Sequence, residues 1–224
     1  TGASRGIGYA AAERLLASGA KVAIASSNQE RISKAAQDLG CTGLVCDMAD
    51  LEAIPTMVSQ AKEALGGLNV LINNAAIGYF APLSELDPQR FEALFRINVT
   101  ASMVAAQHAS KIFMAQKHGD IINVSSTAGK RGYAGGSAYS ASKFALGAMT
   151  ECWRAELRPY NVRVATIHPS EVQTTFARAH DAEIGSNPTK LVAEDIAIGI
   201  ESMIALPSHA FVTDMTIWAT NPQV

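Results

Sequence analysis

Tyr139 and Lys143 stand four positions apart in the stretch YSASK, among small and apolar neighbours. If that stretch is helical, a weak acid and a cation share one helix face, one turn apart. A phenol titrates near ~10 in water, whereas a proton donor works best with a pKa near the operating pH. Lowering it to ~7 takes about 4 kcal/mol of preference for phenolate, and a cation at ~4 Å in an effective dielectric of ~20 supplies about that amount. The pair therefore suits proton transfer at an oxygen, the step that accompanies hydride transfer at a carbonyl carbon. Any single Y-x-x-x-K reads more plainly as a surface tyrosine beside a solvated lysine, so the rest of the chain must decide.

Three other clusters bear on that choice. TGASRGIG (1–8) runs into a helical pattern. Gly2, Gly6 and Gly8 would let backbone approach a pyrophosphate, and a helix N-terminus offers free N–H groups and the positive end of a dipole. The spacing G-x-x-x-G-x-G differs from the dinucleotide fingerprint G-x-G-x-x-G. NNAA (73–76) and the pair Ser125–Ser126 each end an apolar, β-branched run.

These clusters need a scaffold, and the chain supplies alternating elements. The runs 21–27, 42–47, 68–74, 120–126 and 161–169 read as strands apolar on both faces, as in a buried parallel sheet. Helical patterns cover 7–18, 51–65, 87–117, 138–158 and 192–206. Asp87-Pro88 is a helix start, and Gly119 reads as the stop of the long helix. With no repeat or linker, one α/β domain over 1–224 is expected: a Rossmann-type, doubly wound parallel sheet with helices on both faces. Its ligand site would lie beyond the carboxyl ends of the strands.

Composition excludes several functions. Hydrophobic residues make up 48% of the 224, charged residues 17%, and the net charge is −2, which argues against disorder and against a nucleic-acid surface. Cys41, Cys46 and Cys152 form no C-x-x-C, so reduced thiols and no structural metal are expected. No apolar run approaches the ~20 residues of a membrane helix, and no signal peptide is evident, which points to a cytoplasmic protein.

Taken together, the motifs resemble the short-chain dehydrogenase/reductase family over essentially the whole chain. T-G-x-x-x-G-I-G lies at 1–8, Asn-Asn-Ala at 73–75 and Asn98 in RINVT. Ser126 precedes Tyr139 by the family's spacing, which selects it over Ser125, and HPSEVQT (168–174) resembles the segment that clasps the nicotinamide. The resemblance implies catalysis by Asn98, Ser126, Tyr139 and Lys143. Ser126 would bond the substrate oxygen, Tyr139 would be the acid or base, and Asn98 would support a water chain to Lys143. It implies cofactor contacts from Gly2, Ser4, Arg5, Gly6, Ile7, Gly8, Ser26, Ser27, Asp47, Met48, Asn74, Ala75, Tyr139, Lys143, Pro169, Val172 and Thr174. Tyr79, Phe80, Tyr133 and Phe176, with Ser126, are the candidate substrate residues, and 175–191 the lid.

Three departures stand out: Ala76 and Ser170 replace usual glycines, and no strand precedes the glycine loop. Such a strand would be central, so a truncated record of a longer protein is expected. A serine hydrolase would want G-x-S-x-G, which GGSAY (135–139) lacks; a sugar epimerase has other glycine spacing; a non-catalytic dinucleotide sensor usually loses the tyrosine or lysine. NADP is expected over NAD, because Ser26 and Ser27 stand where an NAD enzyme carries an acid and Arg5 precedes Gly6. The first specific substrate reading is a 3-oxoacyl thioester on an acyl carrier protein, with Lys130, Arg131 and Arg178 as possible carrier contacts. The apolar circumference of 142–153 predicts burial on more than one side, and family tetramers imply a homotetramer, or at least a dimer.

Overall fold

The computed structural model describes residues 1–176 and 187–220. Six strands and seven α-helices follow in chain order: α1 (Gly6–Ala17), β1 (Ala23–Ser26), α2 (Gln29–Leu39), β2 (Thr42–Val45), α3 (Ala53–Leu65), β3 (Val70–Asn73), α4 (Pro88–Phe95), α5 (Ser102–Gln116), β4 (Gly119–Val124), α6 (Ser137–Leu157), β5 (Val162–Pro169), α7 (Ala193–Ile204) and β6 (Asp214–Ile217). Among the described residues all strand pairings are parallel. β1 pairs with β2, and the other four strands run in the order β3-β4-β5-β6. Between the two parts runs Thr1–Ala3, with Ala3 N donating to Ala25 O at 3.1 Å and Thr1 N to Ile72 O at 3.0 Å.

Alternation along β4 and β5 builds a core on each face of the sheet. Ile121 and Val164 pack with Phe113 of α5 and Met57 of α3, while their neighbours Ile122 and Ala165 pack with Ala11 of α1 and Ile196 and Ile200 of α7. This two-sided burial explains the unbroken apolar runs in the sequence.

The structure corrects several local readings. The helix expected over 87–117 is broken by a π-helical turn, Arg96–Ala101, which carries Asn98. Its end is capped by Lys117 in the left-handed conformation (φ 57°), and Gly119 instead opens β4. Asp87 does cap α4, accepting from Gln89 N and Arg90 N. Helix α2 and strand β6 had no counterpart in the sequence reading. The first buries only Ile32, Ala35 and Ala36, and the second is a four-residue strand half open to solvent. α6 buries Ala138, Tyr139, Ser142, Lys143, Leu146 and Thr150. Its opposite face is open, exposing Ala141, Phe144, Ala148 and Cys152. The three cysteines are unpaired. Among the described residues no helix is long and apolar enough to cross a membrane.

Candidate active site

The carboxyl ends of the strands border a cleft of about 1460 Å³. At one end lies the glycine loop. Gly2 and Gly6 hold positive φ (64° and 58°), and a Cβ at Gly2 would come within 2.7 Å of Ala75 Cα. Helix α1 begins here with Arg5 at its N-cap, no side chain capping it and no acid in its first turn. Uncapped N–H groups on a helix start suit an anion such as a pyrophosphate, so the loop fits a dinucleotide. Asn74 braces it: the Asn74 side chain donates to Thr1 O (2.9 Å) and Gly2 O (3.2 Å). Gly8 does not border the cleft. A Cβ there would meet Asn74 Nδ2 at 2.7 Å and Ala3 Cα at 2.8 Å, so this glycine serves close packing.

Ser4, Arg5, Ile7, Ser26, Ser27, Asp47, Met48, Ala75, Pro169, Val172 and Thr174 all border the cleft, as do Ala76 and Ser170. Ser4 Oγ lies 3.1 Å from Ser26 Oγ, and Asp47 Oδ1 accepts from Ala49 N at 2.9 Å. Ser170 is not among the positive-φ residues, so the turn accepts its side chain. Sequence reasoning missed Arg31, which borders the cleft beside Ser26, Ser27 and Asn28. It sits in the first turn of α2, where Arg31 N donates to the capping Asn28 side chain at 2.8 Å. The cap signal at Asn28, followed along its first turn, would have found it.

At the other end, Ser126, Tyr139 and Lys143 converge. Ser126 lies in extended conformation two residues beyond β4 and starts a 3-10 turn, Thr127–Gly129; its Oγ accepts from Ala128 N at 3.1 Å. Lys143 is 3% exposed, with Nζ donating to Val124 O at 2.9 Å and lying 5.7 Å from the Tyr139 ring centroid. Burial lowers the lysine to about 8. Burial also pushes the Tyr139 phenol well above its ordinary value, Tyr133 adds to the rise, and Ser126 works against it. The expected lowering of the phenol by the lysine is therefore reversed here, because both groups are desolvated and the ammonium is directed at a carbonyl.

Asn98 lies behind the cleft, 1% exposed. Its Oδ1 accepts from Ile77 N at 2.8 Å, and its Nδ2 donates to Ile77 O (2.9 Å) and Ser142 Oγ (3.2 Å). The π-turn that sets it there is a common device at functional sites. Phe80, Tyr133 and Phe176 border the cleft, and the rings of Phe80 and Phe176 tilt against Tyr139 at 5.5 and 5.6 Å. Tyr79 does not join them. It is 5% exposed, its hydroxyl accepts from Asp87 N at 2.8 Å, and Arg90 stacks on its ring, so it anchors the start of α4. Lys130 is paired with Asp214 at 2.5 Å and Arg131 stacks on Trp218 at 5.5 Å. Arg178 and most of the expected lid lie outside the described residues.

The chain is similar to several known proteins. A 3alpha-hydroxysteroid dehydrogenase of Mediterraneibacter gnavus is 32% identical over 186 residues, covering 80% of this chain and 74% of its own. The crystal structure of a metagenomic short-chain oxidoreductase in complex with NADP superposes with a TM-score of 0.85 at 30% identity, covering 99% of this chain and 95% of that one. A putative betaketoacyl-ACP reductase superposes with a TM-score of 0.84 at 28% identity, covering 97% and 94%. A family model described as short chain dehydrogenase matches residues 1–185. With this match over most of its length, and with a serine, a tyrosine and a lysine together on the cleft, the chain belongs to the short-chain dehydrogenase family of oxidoreductases.

Proposed function

We propose that the protein is an NADP(H)-dependent oxidoreductase that interconverts a carbonyl and an alcohol on an apolar substrate. The observation that carries this reading is the convergence of Ser126, Tyr139 and buried Lys143 on one cleft, walled by aromatic rings. Gly2, Ser4, Arg5, Gly6 and Ile7 would hold the pyrophosphate, Asp47 and Met48 the adenine. Asn74, Ala75, Lys143, Pro169, Val172 and Thr174 would hold the nicotinamide half. The bound nicotinamide supplies or accepts the hydride. Ser126 hydrogen-bonds the substrate oxygen, and Tyr139 delivers its proton to that oxygen as charge develops there. Burial keeps the phenol protonated, as a proton donor must be before transfer. Asn98 holds the backbone of Ile77 at the cleft and the Ser142 hydroxyl one residue before Lys143.

Preference for NADP follows from the adenosine end. Ser26 and Ser27 place no carboxylate there to repel a 2′-phosphate, while Arg5 and Arg31 both border that region of the cleft. Guanidinium groups bond phosphate through paired N–H donors. Arg5→Ala and Arg31→Ala are each expected to lower kcat/KM for NADPH by about ten- to a hundredfold, the worth of a charge-assisted hydrogen bond, with little change for NADH. The check is the NADPH/NADH ratio before and after substitution; equal ratios in the native enzyme would defeat the assignment.

Phe80, Tyr133 and Phe176 favour an acyl chain or a fused ring over a sugar. A 3-oxoacyl thioester remains the first specific reading, supported by the reductase neighbour, and a 3-oxosteroid the second, supported by the steroid dehydrogenase relative. A carrier protein as donor has less support, because Lys130 and Arg131 are engaged within the chain. Purified enzyme with NADPH should reduce acetoacetyl thioesters or 3-oxosteroids in preference to ketoses; a ketose preference would overturn the apolar reading.

The open face of α6, with Phe144 46% exposed among Ala141, Ala148 and Cys152, supports a homotetramer, or at least a dimer, through this helix. Light scattering should give a multimer for the native protein and a smaller species for Phe144→Glu, since a buried unpaired charge opposes such packing. A native monomer would defeat this. Composition and the unpaired thiols support a cytoplasmic location.

A further inference from the structure

His168 precedes Pro169 at the end of β5 and is 3% exposed. It does not border the cleft, yet it touches the serine that does. His168 Nδ1 lies 3.0 Å from Ser126 O, and Nε2 lies 2.8 Å from Asp214 Oδ2 on β6. The other carboxylate oxygen of Asp214 receives Lys130 Nζ at 2.5 Å. Ser126 and Lys130 flank the turn Thr127–Gly129, within which Gly129 N donates to Ser126 O and Lys130 N to Thr127 O. One carboxylate thus holds both ends of the turn, directly through Lys130 and by way of His168 at Ser126.

The chemistry of these contacts specifies a protonation state. A carbonyl and a carboxylate only accept hydrogen bonds, so each needs an N–H from the ring. A neutral imidazole has one N–H, and the imidazolium has two. Several other charged groups on elements packed against β5 are engaged elsewhere, and Glu151, Glu156 and Arg158 are exposed to solvent. On α6, Lys143 bonds Val124 O and Arg154 bonds Val164 O and Thr213 O. On α7, Glu194 and Glu201 pair with Arg14, and Asp195 accepts from Val192 N. Asp120 of β4 pairs with Arg163, and the charged group that touches the ring is Asp214, with Lys130 on its other oxygen. Burial tends to raise the Asp214 carboxyl, but hydrogen bonds and charge from Lys130 and His168 leave it below the ordinary carboxylate range.

We propose that His168 is a positioning residue: its doubly protonated ring fixes the Ser126 carbonyl, and with it the hydroxyl that meets Tyr139, and loss of one ring proton releases the turn. This rests on the serine–tyrosine reading above, but part of its test needs no substrate. Nitrogen NMR of the full-length protein should show both ring nitrogens of His168 protonated at neutral pH. On raising the pH, the loss of one proton should share its midpoint with changes in the Ser126 and Ala128 amide signals. In the reductase assay kcat should fall at that midpoint by roughly ten- to a hundredfold, as expected for a displaced reacting group, with KM for NADPH unchanged. Asp214→Asn keeps an acceptor but removes the charge, so it should move the NMR midpoint and the kcat midpoint together to lower pH. An alkaline limb belonging to Lys143 would not move. His168→Asn, which keeps one donor toward Ser126, should abolish that limb. A singly protonated ring at neutral pH, amide signals that ignore its titration, or a kcat profile unchanged in His168→Asn would overturn the proposal. A protein that reduces no carbonyl but shows the coupled NMR midpoints would refute the reductase reading and leave the His168 clamp standing.

Discussion

Tyr139→Phe is expected to lower kcat by about 10²- to 10⁴-fold, the usual contribution of a positioned general acid, while leaving NADPH affinity near its native value. The substitution removes one oxygen from a ring that remains packed between Phe80 and Phe176, so the fold has little to lose. Ser126 Oγ keeps its bond from Ala128 N and its place just beyond β4. Titrating NADPH by fluorescence and following its oxidation with the preferred carbonyl substrate separates the two effects. Near-native turnover in the variant would remove Tyr139 from the acid–base role. Weakened cofactor binding with normal kcat would assign the phenol to binding instead.

Lys143→Met is expected to raise thermal stability while lowering both kcat and cofactor affinity. Burial lowers this lysine from its ordinary 10.5 to about 8, a difference of about 3 kcal/mol at ~1.36 kcal/mol per pH unit. The folded state binds fewer protons than the unfolded one between those values. The cost is therefore fully present below pH 8 and is relieved as pH rises toward 10.5. Methionine has similar length and no charge to desolvate. It leaves Val124 O without its partner, which returns about 1–2 kcal/mol. The net gain is about 1–2 kcal/mol at neutral pH, a few degrees in Tm for a chain of this size, and it should shrink in alkaline buffer. Calorimetry at pH 7 and pH 10 checks the sign and the trend. A variant less stable than the native protein at pH 7 would mean that the ammonium contributes more to the fold than its burial costs. Such a trade of stability for activity is common where a charge is buried for function.

Much of the frame was legible in the chain because its signals are local. Asp87-Pro88 marked a helix start, and the apolar runs at 120–126 and 161–169 marked strands buried on both faces; α4, β4 and β5 lie there. Elements of weak periodicity were missed. α2 is mostly polar and buries three side chains, and β6 has four residues. Missing α2 also meant missing Arg31.

The residue types and intervals of the site were determined by sequence alone. Tyr139 and Lys143 share a helix face because a helix returns every 3.6 residues, and Ser126 follows the strand that delivers it to them. Tertiary structure decided what those groups experience. Tyr79 and Phe80 are adjacent in sequence, but one anchors α4 and the other faces the cleft. The phenol is raised rather than lowered, because burial strips water from it and the lysine is turned to Val124 O. His168 meets Asp214 only because β5 and β6 pair in a register that sets Thr166 beside Asp214 and His168 beside Thr216. Side chains two residues apart then fall on one face of adjacent strands. Helix and turn propensities act within a few residues, whereas burial and cross-strand partners depend on segments far apart in the chain, and only the packed sheet brings those together.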